Sequence, residues 1–303
     1  MKHSSAYSMV AAAGALWGII AVFVRALNAA GFSAMQVVFV RVAFSAALLV
    51  LFLAIKDRGA LRIRLRDLWC FVGTGIVSIV FFNYCYFTTI ETSSVAVAAL
   101  LLYTSPVFVM LFSLLLFGER FTLRKGAALV CTVLGCACVT GVLSGSGPSM
   151  RPAALLTGLG AGLFYALYTV FSKFALRRYR PVTVTAYTFL VAAVGSAPFS
   201  DLPAVGERLM RPGALPAVLA MAAICTVLPF LFYTTGVSKI PAAHAAVIAT
   251  VEPAVAALVG TLYFRDPFTG MTMAGIALIA ASILIMNLRC QPPAGGLRKS
   301  GGK

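Results

Sequence analysis

The chain has 303 residues, of which 61% are hydrophobic and 11% are charged, and its mean hydropathy is +0.99. These values exclude a soluble globular domain and indicate an integral membrane protein. The net charge of +16 could indicate nucleic-acid binding, but the Lys and Arg residues are distributed over the loops between apolar segments rather than on one face of a folded domain. We therefore expect no nucleic-acid partner.

Apolar segments long enough to cross a bilayer, which takes about 20 residues, follow one another along the chain. They lack the alternating pattern of a transmembrane barrel, so their backbone polar groups must be satisfied within helices. We predict an all-α integral membrane protein with ten transmembrane helices and short loops, at 7–27, 34–55, 68–90, 93–117, 126–143, 153–175, 182–199, 214–236, 242–263 and 269–288.

The basic residues orient these helices. With a cytoplasmic N-terminus, all but six of the 24 Lys and Arg residues fall on the cytoplasmic side, and the exceptions are Arg25, Arg41, Arg151, Arg208, Arg211 and Arg265. An excess of cations is typical of cytoplasmic loops. We predict a multi-pass inner-membrane protein with both termini cytoplasmic, whose basic loops contact the anionic headgroups of the lipid bilayer.

The second half of the chain repeats the first. A segment rich in Gly and Ser, residues 144–149, has the composition of a flexible joint. At an offset of 147 or 148 residues, identical or similar residues recur, among them Gly14 with Gly162, Trp17 with Tyr165, Arg25 with Lys173, Tyr86 with Tyr233, Pro106 with Pro253 and Glu119 with Asp266. We assign a first five-helix repeat to 1–147, a second to 148–290, and a basic cytoplasmic tail to 291–303.

The number of helices in each copy determines their relative orientation. Because five is odd, the second copy must enter the membrane from the side opposite to the first, which makes the copies inverted repeats. Inverted repeats build secondary transporters whose substrate site lies near the membrane midplane, where the copies meet. We therefore expect alternating access by rocking of the two copies about a central cavity.

Matching motifs in the two copies carry a family resemblance. They are Ser105-Pro106 followed by Phe117-Gly118-Glu119-Arg120-Phe121-Thr122, and Glu252-Pro253 followed by Phe264-Arg265-Asp266-Pro267-Phe268-Thr269. With these motifs the chain resembles a two-copy EamA-type member of the drug/metabolite transporter superfamily over residues 7–288. The resemblance implies ten helices, cytoplasmic termini and export or exchange of small metabolites. The second copy departs from the pattern at Arg265-Asp266, where the first has Gly118-Glu119.

Glu252 is an acidic residue about eleven residues into its helix, roughly 16 Å deep at 1.5 Å per residue. A carboxylate in hydrocarbon is costly unless it is paired, hydrated or protonated, so Glu252 is a candidate functional residue. We expect it to face the cavity and either to couple transport to protons or to hold the amine of a substrate. The alternative is a structural carboxyl that is neutral or is paired with a buried cation such as Arg41 or Lys173. Arg41 either anchors a substrate carboxylate or extends to the outer interface.

Pro106 and Pro253 lie in the middle of equivalent predicted helices. Each removes a hydrogen bond within its helix and frees the carbonyl four residues earlier, at Leu102 and Ala249. A freed carbonyl is tolerated in a membrane helix where it faces a cavity. We predict two broken helices that line the cavity and act in gating, with a simple packed kink as the alternative.

Polar and aromatic residues recur inside the predicted helices and are candidates for the cavity wall. Tyr and Trp combine an apolar body with one hydrogen-bonding group, which suits a site for small amphipathic solutes, although the same residues also serve as ordinary packing or interfacial anchors. The candidates are Trp17, Asn83, Tyr86, Tyr103, Tyr165, Tyr168 and Tyr233.

Other function classes fit the sequence less well. An enzyme needs clustered catalytic or metal-binding groups, whereas His244 is the only histidine in a predicted helix and Cys136-x-Cys138 lacks further ligands. We expect no enzyme, metal or cofactor, and a passive channel is the stronger competitor. We predict a secondary transporter, exporter or exchanger, of small organic metabolites such as amino acids or related amphipathic solutes. Protons are the candidate coupling ion, and the protein is a monomer or a homodimer.

Overall fold

The computed structural model describes residues 3–142 and 152–287, and this part of the chain is helical without strands. The predicted joint at 144–149 and the predicted tail at 291–303 lie outside the described residues. The helices are α1 His3–Gly18, α2 Ile20–Ala29, α3 Ala34–Lys56, α4 Leu68–Val72, α5 Phe81–Thr92, α6 Val95–Leu102, α7 Ser105–Phe117, α8 Leu123–Val139, α9 Pro152–Ala175, α10 Pro181–Ser196, α11 Leu202–Leu209, α12 Ala214–Ala222, α13 Leu228–Val237, α14 Ala242–Ala249, α15 Val251–Phe264 and α16 Gly270–Asn287.

Within the described residues, eight helical segments are long and apolar enough to cross a membrane, which fits a multi-pass membrane protein. They are Ser5–Ala29, Ala34–Lys56, Leu65–Thr92, Val95–Phe117, Pro152–Ala175, Pro181–Phe199, Ala214–Val237 and Ala242–Phe264, and they match eight of the ten predicted helices. The remaining two predictions fall on α8 and α16, which are shorter. These two helices pack against each other at Gly135 and Gly275, where an added Cβ on either residue would lie within 3.0 Å of the other's carbonyl oxygen.

Several of the membrane-spanning segments are interrupted. Val95–Phe117 breaks at Tyr103 and Thr104, between α6 and α7, and Ala242–Phe264 breaks at Thr250, between α14 and α15. Leu65–Thr92 and Ala214–Val237 each contain a π-helical stretch, Gly73–Val80 and Ala223–Val227, at equivalent places in the two copies. The breaks were predicted from the prolines, and the π-helical stretches were not predicted. Local π-helix is frequent at functional sites.

The two sequence copies interlock rather than forming separate bundles. α1 of the first copy packs against α13, α14 and α15 of the second, and α9 of the second packs against α5, α6 and α7 of the first. The largest core cluster also draws side chains from both copies, including Val10, Phe189 and Ile248. Neither copy therefore buries its apolar surface alone, and rocking of each copy as one rigid body would separate this shared core.

The loops between the helices form two faces. The face that we call the basic face contains the loops 57–67, 118–122, 176–180 and 238–241. Ion pairs of Arg178 with Asp67 and of Arg180 with Asp57 connect its loops across the two copies. The face that we call the opposite face contains the loops 30–33, 93–94, 197–213 and 265–269, and there Arg211 donates a hydrogen bond to the carbonyl of Ala30 (2.7 Å).

Candidate functional site

Glu252 lies in the first turn of α15, directly after the break at Thr250. The carbonyl of Val247 accepts both the backbone N–H (3.2 Å) and the hydroxyl of Thr250, which closes the last turn of α14. The first turn of a helix presents free backbone N–H groups and the positive end of the helix dipole, which favour a carboxylate. The break therefore places Glu252 inside the bundle in an environment that tolerates its negative charge.

Three tyrosines and a cysteine surround Glu252. The Tyr165 hydroxyl, on α9, donates to Glu252 Oε2 over 3.3 Å. Tyr86, Tyr103 and Cys136 are close enough to interact electrostatically with the carboxylate. The site thus combines the predicted residues Glu252, Tyr86, Tyr103 and Tyr165 from four membrane-spanning segments. Cys136, on α8, was considered as part of an incomplete metal-ligand motif, and its interaction with the carboxylate could not be predicted from its sequence neighbours.

These residues lie inside the bundle and are partly accessible. Glu252, Tyr86, Tyr103 and Tyr165 are surrounded by protein, yet each keeps part of its surface accessible. The space to which these four side chains are open is the candidate for the predicted cavity, and the prediction that Glu252 faces a cavity stays a prediction.

Arg41, on α3, points into the same region rather than to the outer interface, which was its predicted alternative. Its guanidinium interacts electrostatically with Glu252, Tyr165 and Cys225. No ion pair within 4.0 Å joins it to an acidic residue in the part of the chain that the structure describes, and its buried Nε has no hydrogen-bond partner there. In the described part of the chain, the site therefore holds a cation and an anion that interact electrostatically without forming an ion pair.

Lys173 is not the partner of Glu252. Its Nζ donates to the carbonyls of Val237 (3.0 Å) and Ile240 (2.9 Å), just after α13 ends at the basic face. The alternative of a Glu252–Lys173 ion pair is therefore wrong.

His244 packs edge-on against Tyr7, with ring centroids 6.4 Å apart.

Three further predicted residues, Trp17, Tyr168 and Tyr233, form a packed cluster next to the cavity. Their rings contact each other and Phe230, with Trp17 at 5.2 Å and Tyr168 at 5.1 Å from the Phe230 ring centroid. The hydroxyl of Tyr168 is hydrogen-bonded to Thr234 (2.8 Å), and that of Tyr233 is hydrogen-bonded to Thr169 (2.7 Å). Because these hydroxyls are satisfied within the protein, the cluster supports the cavity wall rather than offering free polar groups to a ligand.

Asn83 is the predicted residue with the weakest connection to the site. Its side-chain amide is buried and donates to the carbonyl of Ile79 over 2.7 Å. Ile79 belongs to the π-helical stretch of the same segment, where the usual helical hydrogen bonding is changed. Asn83 therefore stabilises its own irregular helix.

The two prolines lie in the first turn of the second half of each broken helix, at Pro106 in α7 and Pro253 in α15. The breaks lie directly after Leu102 and Ala249, where the prolines predicted them. A proline in the first turn of a helix loses no intrahelical hydrogen bond, however, so the predicted loss of a hydrogen bond is not their cause. The carbonyls at the breaks face glycines of the other copy. A Cβ on Gly14 would lie 2.6 Å from the Ala249 oxygen, and a Cβ on Gly162 would lie 2.8 Å from the Leu101 oxygen.

Comparison with known proteins gives one family. The sequence profile of the EamA-like transporter family matches residues 4–141 and again residues 152–288. An uncharacterized transporter of Archaeoglobus fulgidus is 29% identical over 290 residues, which cover 94% of this chain and 96% of that protein. The threonine/homoserine exporters RhtA of Salmonella typhimurium and Escherichia coli K12 are 29% identical, over 66% of this chain and 65% of theirs. A crystal structure with 20% identity has a TM-score of 0.78 and covers 94% of this chain and 97% of its own, which supports the fold.

Proposed function

Because the chain belongs to the EamA-like transporter family and is a small-molecule transporter of the membrane, we propose that it is a secondary carrier for small zwitterionic metabolites of the amino-acid class. The proposed site is the cavity at Glu252, Arg41 and the tyrosines Tyr86, Tyr103 and Tyr165. The threonine/homoserine exporters among its relatives act on solutes of this class and support export as the direction.

The separation of Arg41 from Glu252 is the observation that carries this proposal. Burying a charge costs several kcal/mol unless it is paired, and here two opposite charges face one cavity without forming an ion pair. An amino acid carries both complementary charges a few bonds apart. Its ammonium would bind Glu252 and its carboxylate would bind Arg41, so one ligand compensates both charges. The tyrosines would supply apolar contact and hydrogen bonds to the remainder of the solute.

Protons are the proposed coupling ion. When the substrate leaves, Glu252 loses the ammonium group that compensated its charge in a poorly hydrated site. Uptake of a proton by the carboxylate removes the uncompensated charge, and release of that proton restores the binding form. Substrate and proton would then compete for Glu252, which is sufficient to exchange one for the other across the membrane.

The proposed architecture has ten spans in two inverted five-helix copies, with α8 and α16 as the last span of each and both termini cytoplasmic in an inner membrane. The interlocked core supports motion of half-helices about the breaks at Thr104 and Thr250 rather than motion of whole copies. A helix break concentrates a change of backbone angles in a few residues, as hinges do.

The proposal is tested with ligands that lack one charge. Purified protein is screened for thermal stabilisation by the twenty amino acids, and the best ligand is compared with its methyl ester and its deaminated analogue. The wild type should bind the amino acid better than either analogue. Arg41→Gln should no longer prefer the amino acid to its methyl ester, and Glu252→Gln should no longer prefer the amino acid to its deaminated analogue. Glu207→Gln, at an exposed site on α11, should behave like the wild type.

Transport is then measured in liposomes with the same ligand. A carrier gives saturable flux and counterflow, whereas flux without saturation or exchange would favour the passive channel. The proposed substrate class is wrong if neutral or singly charged analogues bind as well as the zwitterion, or if no amino acid stabilises the protein.

A further inference from the structure

Two turns of the same backbone shape lie at the two faces, one in each copy. Gly118 and Arg265 end α7 and α15 in the left-handed region, with φ of 63° and 60°. The next residue in each turn donates its N–H back into the helix, from Glu119 to Ser113 (3.1 Å) and from Asp266 to Gly260 (3.0 Å). The departure of the second motif from the first therefore leaves the turn unchanged, and both turns present a carboxylate.

At the basic face, the carboxylate of Glu119 joins the two copies. Glu119 Oε1 accepts the backbone N–H of Ala242 (2.8 Å), and Oε2 accepts from Lys125 Nζ (3.1 Å). Ala242 is the first residue of α14, and the preceding Pro241 offers no capping side chain. A carboxylate at this position compensates a free N–H group and the positive end of the helix dipole. Glu119 thus acts as the N-cap of a half-helix from the other copy.

Lys173 strengthens the same connection. Its hydrogen bonds to Val237 and Ile240 tie α9 to the turn that precedes α14. Lys173 is also close enough to Glu119 to interact electrostatically with it. We call this group the basic-face seal, and it consists of Glu119, Lys125 and Lys173 with their backbone partners at Val237, Ile240 and Ala242.

The equivalent contacts at the opposite face are not made in the part of the chain that the structure describes. In the internal repeat, Asp266 corresponds to Glu119, Val95 corresponds to Ala242, and Arg25 corresponds to Lys173. Asp266 is exposed and makes no hydrogen bond through its carboxylate to a described residue. Val95 is 61% exposed, whereas Ala242 is 0% exposed. Arg25 lies over the Phe264 ring, 3.6 Å from its centroid.

We infer that the seal alternates between the faces. In the opposite state Asp266 caps Val95 at the start of α6, and Arg25 leaves Phe264 for the carbonyls of Ile90 and Ser93, while Glu119 releases Ala242. Ser94 already caps α6 by accepting the Val97 N–H (3.2 Å), so Asp266 would add a second cap at Val95. Glu119 and Asp266 are therefore positioning residues that decide which face of the cavity is closed.

The second seal is expected to be the weaker one. Thr272 stands where the first copy has Lys125, so Asp266 has no lysine to pair with, and an aspartate is one methylene shorter than a glutamate. The structure shows the state that the stronger seal favours. This inference rests on the alternating access of the proposed function but not on the identity of the substrate.

Hydrogen–deuterium exchange of the full chain in lipid nanodiscs, without substrate, tests the inference. Amides of 242–246 report on the basic face and amides of 95–99 report on the opposite face. In Glu119→Gln we expect exchange to become about fivefold faster at 242–246 and slower at 95–99, because allosteric equilibria of this kind shift by about that factor. In Asp266→Asn we expect exchange to become slower at 242–246 and faster at 95–99.

Control variants separate a shift of populations from loss of structure. Glu207→Gln, which removes one exposed acid from α11, should leave both rates unchanged. Lys125→Gln keeps the Glu119 cap and should give a smaller change than Glu119→Gln in the same sense, so it serves if Glu119→Gln does not fold. Equal acceleration at both faces, or no change in either, overturns the inference. A reciprocal change in a protein that binds no amino acid would instead contradict the proposed substrate.

Discussion

The break between α6 and α7 and the break between α14 and α15 have nearly the same backbone and differ in chemistry. Tyr103 and Thr250 end their half-helices with φ, ψ of −74°, 6° and −69°, 6°. A threonine hydroxyl at each break donates to the carbonyl three residues earlier, and a glycine of the other copy faces the break. Only the second break carries an acid, at Glu252, where the first has Ser105. The backbone mechanics are therefore duplicated, whereas the charged recognition group is present once.

The largest expected effect comes from removing that asymmetry. Glu252→Gln should lower transport about 30-fold or more. The variant removes the carboxylate that would pair with the substrate ammonium, and loss of one member of such a buried charge pair costs about 2–5 kcal/mol. Initial rates of labelled amino-acid uptake in liposomes measure this. Ser105→Ala, at the equivalent position, should keep transport within about fivefold of the wild type, since removing a neutral hydroxyl costs about 1 kcal/mol. Equal losses in the two variants would show that both breaks bind substrate.

The second prediction concerns the shared backbone. Gly14→Ala and Gly162→Ala should each destabilise the protein by about 1–3 kcal/mol, because the added Cβ would overlap a carbonyl at the facing break. Thermal unfolding in detergent measures the loss. Gly206→Ala, where nothing lies within 4 Å of the added Cβ, should be close to neutral. A large effect in only one of the two breaks would contradict their equivalence.

The third prediction separates the aromatic residues that face the two breaks. Tyr165→Phe removes the hydrogen bond to Glu252 and should weaken substrate binding about 2- to 10-fold, which corresponds to about 0.5–1.5 kcal/mol. Its repeat counterpart Trp17 packs against Phe230 and Tyr233, so Trp17→Phe should lower the unfolding temperature with a smaller change in affinity. Calorimetric titration and thermal unfolding distinguish the two results, and the reverse assignment of effects would contradict the site.

Much of this arrangement could be predicted from local sequence. An acid or a proline inside an apolar segment is unusual by itself, so Glu252, Pro106 and Pro253 were found without tertiary information. The direction of the Arg41 side chain could not be predicted, because a long side chain reaches either the interface or the interior according to the helices that pack around it. The cap of Ala242 by Glu119 likewise joins residues far apart in the chain, and the π-helical stretches have no distinctive composition.

The smallest expected effect tests the local chemistry of the breaks. Thr104→Val and Thr250→Val each remove one hydroxyl that donates to a carbonyl at the end of a half-helix. Each should destabilise the protein by about 0.5–1.5 kcal/mol, and the two losses should be alike if the breaks are equivalent. Thermal unfolding of the single and double variants measures both losses and their additivity. Unequal losses would place a difference between the copies in the backbone of the breaks as well as in Glu252, since each hydroxyl donates to a carbonyl of its own half-helix.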